Sequence, residues 1–138
     1  MLSLPLRLHG IELGRPVDVL LDRSGLRVVG LDVLCGDQVH RFLPLPTAAI
    51  GDDGLAIHSP LVLLEEDELA FYRKRTSSLA ALRGHGVTRR RRAAGRLVDV
   101  VVAPDGTLDE VVVDDGGTEV PIPVDETIRL RPASRSAA

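Results

Sequence analysis

Leucines at positions 2, 4, 6 and 8 alternate with other residues, a period that predicts a strand at the start of the chain. Two later runs, Val17-Asp18-Val19-Leu20-Leu21 and Val98-Asp99-Val100-Val101-Val102, are rich in β-branched residues. Each is followed by a turn, Arg23-Ser24-Gly25 or Pro104-Asp105-Gly106, so each predicts a strand entering a hairpin. The expected partner strands are Leu26 to Leu34 and Leu108 to Val113. They pass through Gly36-Asp37 and Asp114-Asp115-Gly116-Gly117 into strands ending at Leu43-Pro44-Leu45-Pro46 and Val120-Pro121-Ile122-Pro123. Proline cannot donate to a ladder, so Pro44 and Pro121 mark an edge or a strand exit. Short strands are expected at Leu55 to His58 and at Ile128 to Leu130.

Helical spacing occurs once, over 65–83. Glu65, Glu66, Asp67 and Glu68 occupy the first turn, Arg83 the last, and Gly84 follows, an order that suits the macrodipole and a left-handed C-cap. Leu69, Tyr72, Thr76, Leu79 and Ala80 fall on one face, predicted to pack on the strands of the same chain, with docking to another chain as the alternative.

The strand pattern occurs twice. Gly14-Arg15-Pro16-Val17-Asp18-Val19 returns 81 positions later as Gly95-Arg96-Leu97-Val98-Asp99-Val100. The two Pro-x-Pro motifs are offset by 77, the value that four residues missing from the second copy's middle hairpin would produce. Two copies of one supersecondary unit follow, with Val17 and Val98, and Leu43 and Val120, expected at matching buried positions. Each copy would be marginal alone, so the copies are expected to pack on each other or on a shared helix.

Charge divides the chain differently. The net charge is −3, but residues 65–96 carry 9 basic against 4 acidic side chains, while 97–138 carry 3 against 9. A basic middle between acidic ends argues against a general polyanion binder and leaves room for one local basic patch. Cys35 is the one cysteine, which excludes an intrachain disulfide and a thiolate zinc cluster and fits a reducing cytosol. The start reads as a strand rather than a secretory signal, and Leu61-Val62-Leu63-Leu64 is far shorter than the ~20 residues of a membrane span. A cytoplasmic location without a transmembrane segment is expected.

The order of glycine turn, Val-Asp-Val strand, second glycine turn and Val/Leu-Pro resembles the PRC-barrel family. The second copy carries Leu82-Arg83-Gly84-x-x-Val87, Gly95 to Val100, Val111 to Val113 and Val120-Pro121. The first carries Gly14 to Asp22, Val29-Gly30-Leu31 and Phe42-Leu43-Pro44, its opening hairpin looking truncated. The resemblance implies small bent β-barrels that act as interaction modules. Members include the cytoplasmic part of the photosynthetic reaction-centre H subunit and the C-terminal domain of a 16S-rRNA-processing factor that docks on a ribosomal protein. Neither function carries over, because the features that accompany those domains have no counterpart here. The expected architecture is mainly β: a first PRC-like barrel over 1–64, a linking helix over 65–83, a second barrel over 84–132 and a disordered tail at 133–138.

Arg89-Arg90-Arg91-Arg92 is the sharpest candidate for binding. Placed at a hairpin turn, four guanidiniums could meet phosphates or an acidic protein face, or simply be solvated beside acids such as Asp99. Two phenylalanines and one tyrosine are few rings for stacking on single-stranded RNA. His9, His40, His58 and His85 never fall at metal-ligand spacing, and the Asp-Asp-Gly runs at 52–54 and 114–116 read as turns. Asp18 and Asp99 align; an acid between valines suits a catalytic carboxylate, but backbone hydrogen bonding is the simpler use. Ser59, Ser77 and Ser78 lack a nucleophile-elbow setting, and Cys35 reads as a small core or turn residue. No catalytic residue, metal ligand or cofactor is expected. The functional expectation is a non-catalytic adaptor for a protein partner. The alternative is a ribosome- or RNA-associated factor using Arg89 to Arg92, and a homodimer is compatible with either.

Overall fold

A computed structural model of the chain describes residues 4–22 and 27–130. Leu2 of the expected opening strand, the Arg23-Ser24-Gly25 turn and the expected disordered tail at 133–138 lie outside the described residues. The strands are β1 (Leu6–Leu8), β2 (Ile11–Leu21), β3 (Val28–Cys35), β4 (His40–Pro44), β5 (Ala49–Ile50) and β6 (Leu55–Ile57), then β7 (Ser77–Ser78). They continue as β8 (Gly86–Arg89), β9 (Arg92–Val102), β10 (Leu108–Asp115), β11 (Thr118–Pro123) and β12 (Ile128–Leu130). Helices α1 (Glu66–Arg75) and α2 (Leu79–Leu82) flank β7. The molecule is mainly β, in two sheets ordered β4-β3-β2-β1-β6-β5 and β11-β10-β9-β8-β12, with β7 pairing β2.

The repeat is written into strand register. The β1–β2 and β8–β9 hairpins both turn on two residues with positive φ, His9 and Gly10 (51° and 83°) and Arg90 and Arg91 (52° and 66°), as a type I′ turn requires. Each half then carries three bulges at matching places. The extra residues are Leu13 and Ala94, Val17 and Val98, and Val29 and Asp109. Gly14 and Gly95 sit where a Cβ would come within 2.5 Å of the Leu34 carbonyl and 2.7 Å of the Asp114 carbonyl, so close strand crossing demands glycine at both.

Four expectations are corrected by this register. Val17 and Val98 are counterparts, but each is the extra residue of a bulge; Val17 is exposed and Val98 half-buried, and the core positions are Pro16, Val19 and Leu21 against Leu97, Val100 and Val102. Leu43 does not answer the exposed Val120. Leu43 pairs Leu31, and the counterpart of Leu31, Val111, pairs Ile122, so Leu43-Pro44 corresponds to Ile122-Pro123. The offset thus falls from 81 at Gly14/Gly95 through 80 at Leu31/Val111 to 79 at Leu43/Ile122, one residue lost per hairpin rather than four from one. The first copy's opening hairpin is also not truncated, because both tight turns have two residues.

The single helix expected over 65–83 is two. Thr76, Ser77 and Ser78 leave the helical path: Thr76 Oγ1 donates back to the Tyr72 carbonyl at 2.7 Å, and Ser77-Ser78 pairs Leu21-Leu20 of β2. Ser78 then caps α2, its Oγ accepting from Ala81 N–H at 3.3 Å. Leu69 and Leu79 are buried as expected, whereas the restart leaves Ala80 exposed. Gly84 follows α2 at φ 84°.

Both halves contribute to one apolar core, from Leu6, Val19, Leu31, Val33, Leu43 and Leu55 in the first to Val87, Leu97, Val100, Val111, Val113 and Ile128 in the second. The halves diverge at their last strands, since β6 runs parallel to β1 and β12 antiparallel to β8.

Candidate functional site

On the outer face of the first half, side chains alternate away from the core and form two rows across β2, β3 and β4. Asp18, Asp32 and Phe42 pair in one row; Leu20, Gly30 and Pro44 pair in the next. Helix α1 lies over this grid. Its acids Glu66, Asp67 and Glu68 occupy the first turn and Arg73, Lys74 and Arg75 the last, matching the macrodipole. Two backbone bonds between Phe42 and Leu64, at 2.9 and 2.8 Å, fix where the chain enters it. Tyr72 stacks on Phe42 with ring centroids 4.2 Å apart, and Leu69 closes over Leu20 and Phe42. Gly30 is required here, because a Cβ would lie 2.4 Å from the Phe42 ring.

The polar row is buried: Asp18 is 3% and Asp32 1% exposed. Asp18 Oδ1 accepts from Val19 N–H at 2.8 Å and Ala80 N–H at 3.0 Å, and Oδ2 from Ser78 Oγ and Arg73. Arg73 also donates to Asp32 Oδ2, and His40 Nδ1 lies 2.8 Å from Asp32 Oδ1. One guanidinium thus joins two buried carboxylates while their remaining lone pairs meet other polar groups. The sequence-level choice between catalytic and backbone-bonded use of Asp18 meets a concrete geometry, in which the acid ties α1 and α2 to β2. Asp32, Arg73 and His40 escaped sequence reasoning, because only strand pairing and helix docking bring them to Asp18.

The second half presents the same grid without a helix. Asp99, Val112 and Pro121 form one row and Val101, Glu110 and Pro123 the other. Asp99 repeats the Asp18 bond, accepting from Val100 N–H at 2.8 Å. Leu20 is fully buried beneath α1, whereas its counterpart Val101 is 43% exposed.

Arg89, Arg90, Arg91 and Arg92 do occupy a hairpin turn, the tip between β8 and β9. Arg90 and Arg91 line a hollow of about 750 Å³ with Thr88, Glu126, Thr127 and Arg129. Arg89 is half-buried, with its Nε enclosed and unpaired, and Arg129 donates to the Glu126 and Ile128 carbonyls at 2.7 and 2.9 Å. Asp125 also lies beside the turn. The Thr127 hydroxyl and N–H hold its carboxyl below the ordinary range, and Arg89 and Arg90 add to the effect.

Among the described residues, no three His, Cys, Asp or Glu side chains gather as metal ligands; His9 and His58 meet only as walls of a hollow of about 460 Å³. Cys35 is buried in the shared core. No described helix is long and apolar enough to cross a membrane. Compared with protein-family models and with curated protein sequences, the chain matches none.

Proposed function

We propose that the chain is a non-catalytic interaction module, two PRC-like barrel units in tandem, that binds a protein partner through the outer face of its second half. The contrast between Leu20 and Val101 carries this reading. Two grids of the same register differ in that one is roofed by the chain's own helix and the other displays Val101, Pro121 and Pro123 to solvent. Apolar side chains gathered on an outer sheet face mark a surface that a partner covers. The test is capture from native extract by the immobilised chain and by its Val101→Glu variant. Proteins held by the first and lost by the second support the reading; identical sets overturn it.

A second reading, an RNA- or ribosome-associated accessory factor, draws on the basic hollow at Arg90, Arg91 and Arg129. Phosphate contacts release counterions, so its mark is captured nucleic acid that falls away steeply with salt and is lost on Arg90→Ser with Arg91→Ser.

A further inference from the structure

We infer that the hollow between the β8–β9 tip and β12 binds a compact anion bearing a chain of two or more phosphoryl groups. None of its lining residues belongs to the Val101 grid, so the site is independent of the protein-binding reading. It is the hollow of the RNA reading with a different occupant. Each half builds a hollow where its first hairpin tip meets its last strand. Arg7, His9 and Gly10 line the first, and their register counterparts Thr88, Arg90 and Arg91 line the second. The chemistry then differs. Ile50, Leu55, Ala56 and Ile57 give the first hollow apolar walls, and Arg7 is engaged there, donating to the Asp53 carbonyl at 3.2 Å. The second is lined by Thr88, Arg90, Arg91, Glu126, Thr127 and Arg129, all polar or charged. Such a lining offers an apolar ligand little and an oxyanion three guanidiniums against one carboxylate.

The backbone points the same way. A type I′ tip holds both central residues at positive φ; the first half meets this with Gly10, whereas the second sets Arg91 at 66°. Adjacent arginines there carry backbone strain and mutual repulsion, and an anion between them relieves the repulsion. Neither guanidinium forms a hydrogen bond or ion pair with another described residue, while Arg90 feels the charge of Asp125. The Asp125 carboxyl is turned to Thr127, Oδ1 accepting from the N–H at 2.7 Å and the hydroxyl at 2.5 Å. Arg129 sits opposite Thr88 in the β8–β12 pairing, and its Nη1 is anchored on the Glu126 and Ile128 carbonyls.

A hollow of about 750 Å³ exceeds a single phosphate and suits a di- or triphosphate chain, inorganic or carried by a nucleoside. A long polyanion fits poorly. Residues 97–138 carry 3 basic against 9 acidic side chains, so a strand extending past the hollow meets negative charge that a compact ligand avoids. The lining also holds no ring on which a base could stack.

The probes are inorganic tripolyphosphate, adenosine triphosphate and a single-stranded uridine oligonucleotide of about ten residues. Each is titrated into the full chain at low ionic strength and followed by amide chemical shifts. Tripolyphosphate is expected to saturate at roughly 10–100 μM, with shifts concentrated at the β8–β9 tip and β12. Equal affinity for adenosine triphosphate assigns recognition to the phosphate chain alone, and tighter binding adds the nucleoside; either supports the site. Arg90→Asn with Arg91→Gly supplies the residues a type I′ turn favours, so the fold persists, and binding should weaken by about tenfold or more. Glu126→Gln removes the carboxylate from the lining and should tighten binding about threefold, whereas Glu119→Gln, on the strand at the far end of the sheet, should not.

Absence of saturation to ~1 mM, retention of affinity in the Asn-Gly variant, or equal tightening by both glutamate changes overturns the inference. So does an oligonucleotide that binds about tenfold more tightly than tripolyphosphate with shifts spreading onto β9 and β10, since the RNA reading then stands and the compact ligand falls. Saturable tripolyphosphate binding without oligonucleotide binding gives the reverse outcome.

Discussion

Arg27 and Thr107 form an antiparallel bridge with each other, and they are counterparts in the two halves. A residue that pairs with its own repeat equivalent lies on a pseudo-twofold axis. The axis is bonded as well as symmetric: Val28 N–H donates to the Gly106 carbonyl at 2.8 Å, and the Arg27 guanidinium to the Asp105 carbonyl at 3.0 Å. With one apolar core on both sides of it, the two halves are expected to unfold together.

Gly106 holds that junction at φ 91°, and a Cβ there would sit 3.3 Å from the Val28 carbonyl and 3.4 Å from Leu45 Cδ2. Gly106→Ala is therefore expected to cost about 1–2 kcal/mol, with strain in the left-handed region outweighing the entropy gained in the unfolded chain. Urea unfolding followed separately by amides of β3 and β10 should give a single lowered midpoint. Two midpoints, with only one moved, would show that the halves are independent.

Among the described residues, Arg73 is the guanidinium bonded to Asp18 and Asp32 in the polar row, so its removal leaves two buried carboxylates facing each other across paired strands. Arg73→Met should destabilise by about 2–3 kcal/mol, below the usual penalty for a broken buried pair because Arg73 itself is partly solvated. Adding Asp18→Asn and Asp32→Asn to that variant should restore most of the loss, a non-additivity that a thermal denaturation series would measure. Additive losses would show that the acids act on their own.

The strands, the two copies and their shared acid were legible in the chain because glycine turns and β-branched runs are local signals. The bulges were not. Val17 and Val98 look like core valines by alternation, yet one inserted residue turns each out of the alternating faces, and nothing local marks the insertion. The Pro-x-Pro motifs misaligned for a related reason: two similar tripeptides sit two positions apart in register once each hairpin loses a residue. The helix break was readable, since Thr76-Ser77-Ser78 offers side chains that compete for backbone bonds. The cluster in which Arg73 joins Asp18 to Asp32, and His40 meets Asp32, depends on strand pairing and helix docking, which no motif spacing encodes.

Asp37, Asp105 and Asp125 each have a folded carboxyl pKa below the ordinary value. The causes are, first, the Arg41 guanidinium for Asp37 and the Thr107 and Thr127 hydroxyls for the other two. A depressed folded value means that the unfolded chain binds protons first as pH falls. The stabilisation is therefore complete above the unfolded value near 3.8 and is lost as pH drops through the lower folded values. Asp125→Asn should be less stable than the parent from pH 7 down to about 4, and the gap should close below that. Equilibrium unfolding between pH 7 and 2 reads this directly, and a gap constant with pH would assign the loss to hydrogen-bond geometry alone.

The arginine hairpin ends in two residues that the type I′ turn forces into the left-handed region, where glycine and asparagine sit more easily. Arg90 and Arg91 are exposed at that tip and their charges crowd one another, so neither strain nor repulsion is offset by burial. Replacing them with Asn at 90 and Gly at 91 should raise stability by about 1 kcal/mol and leave the β8–β9 register unchanged. Arg89 behaves differently, because its half-buried stem lies beside Asp125, and Arg89→Ser is expected to destabilise. If the Asn-Gly tip proves less stable than the parent, Arg90 and Arg91 make internal contacts that outweigh their backbone strain. The basic hollow is then a structural element of the fold and no longer a candidate surface for phosphate.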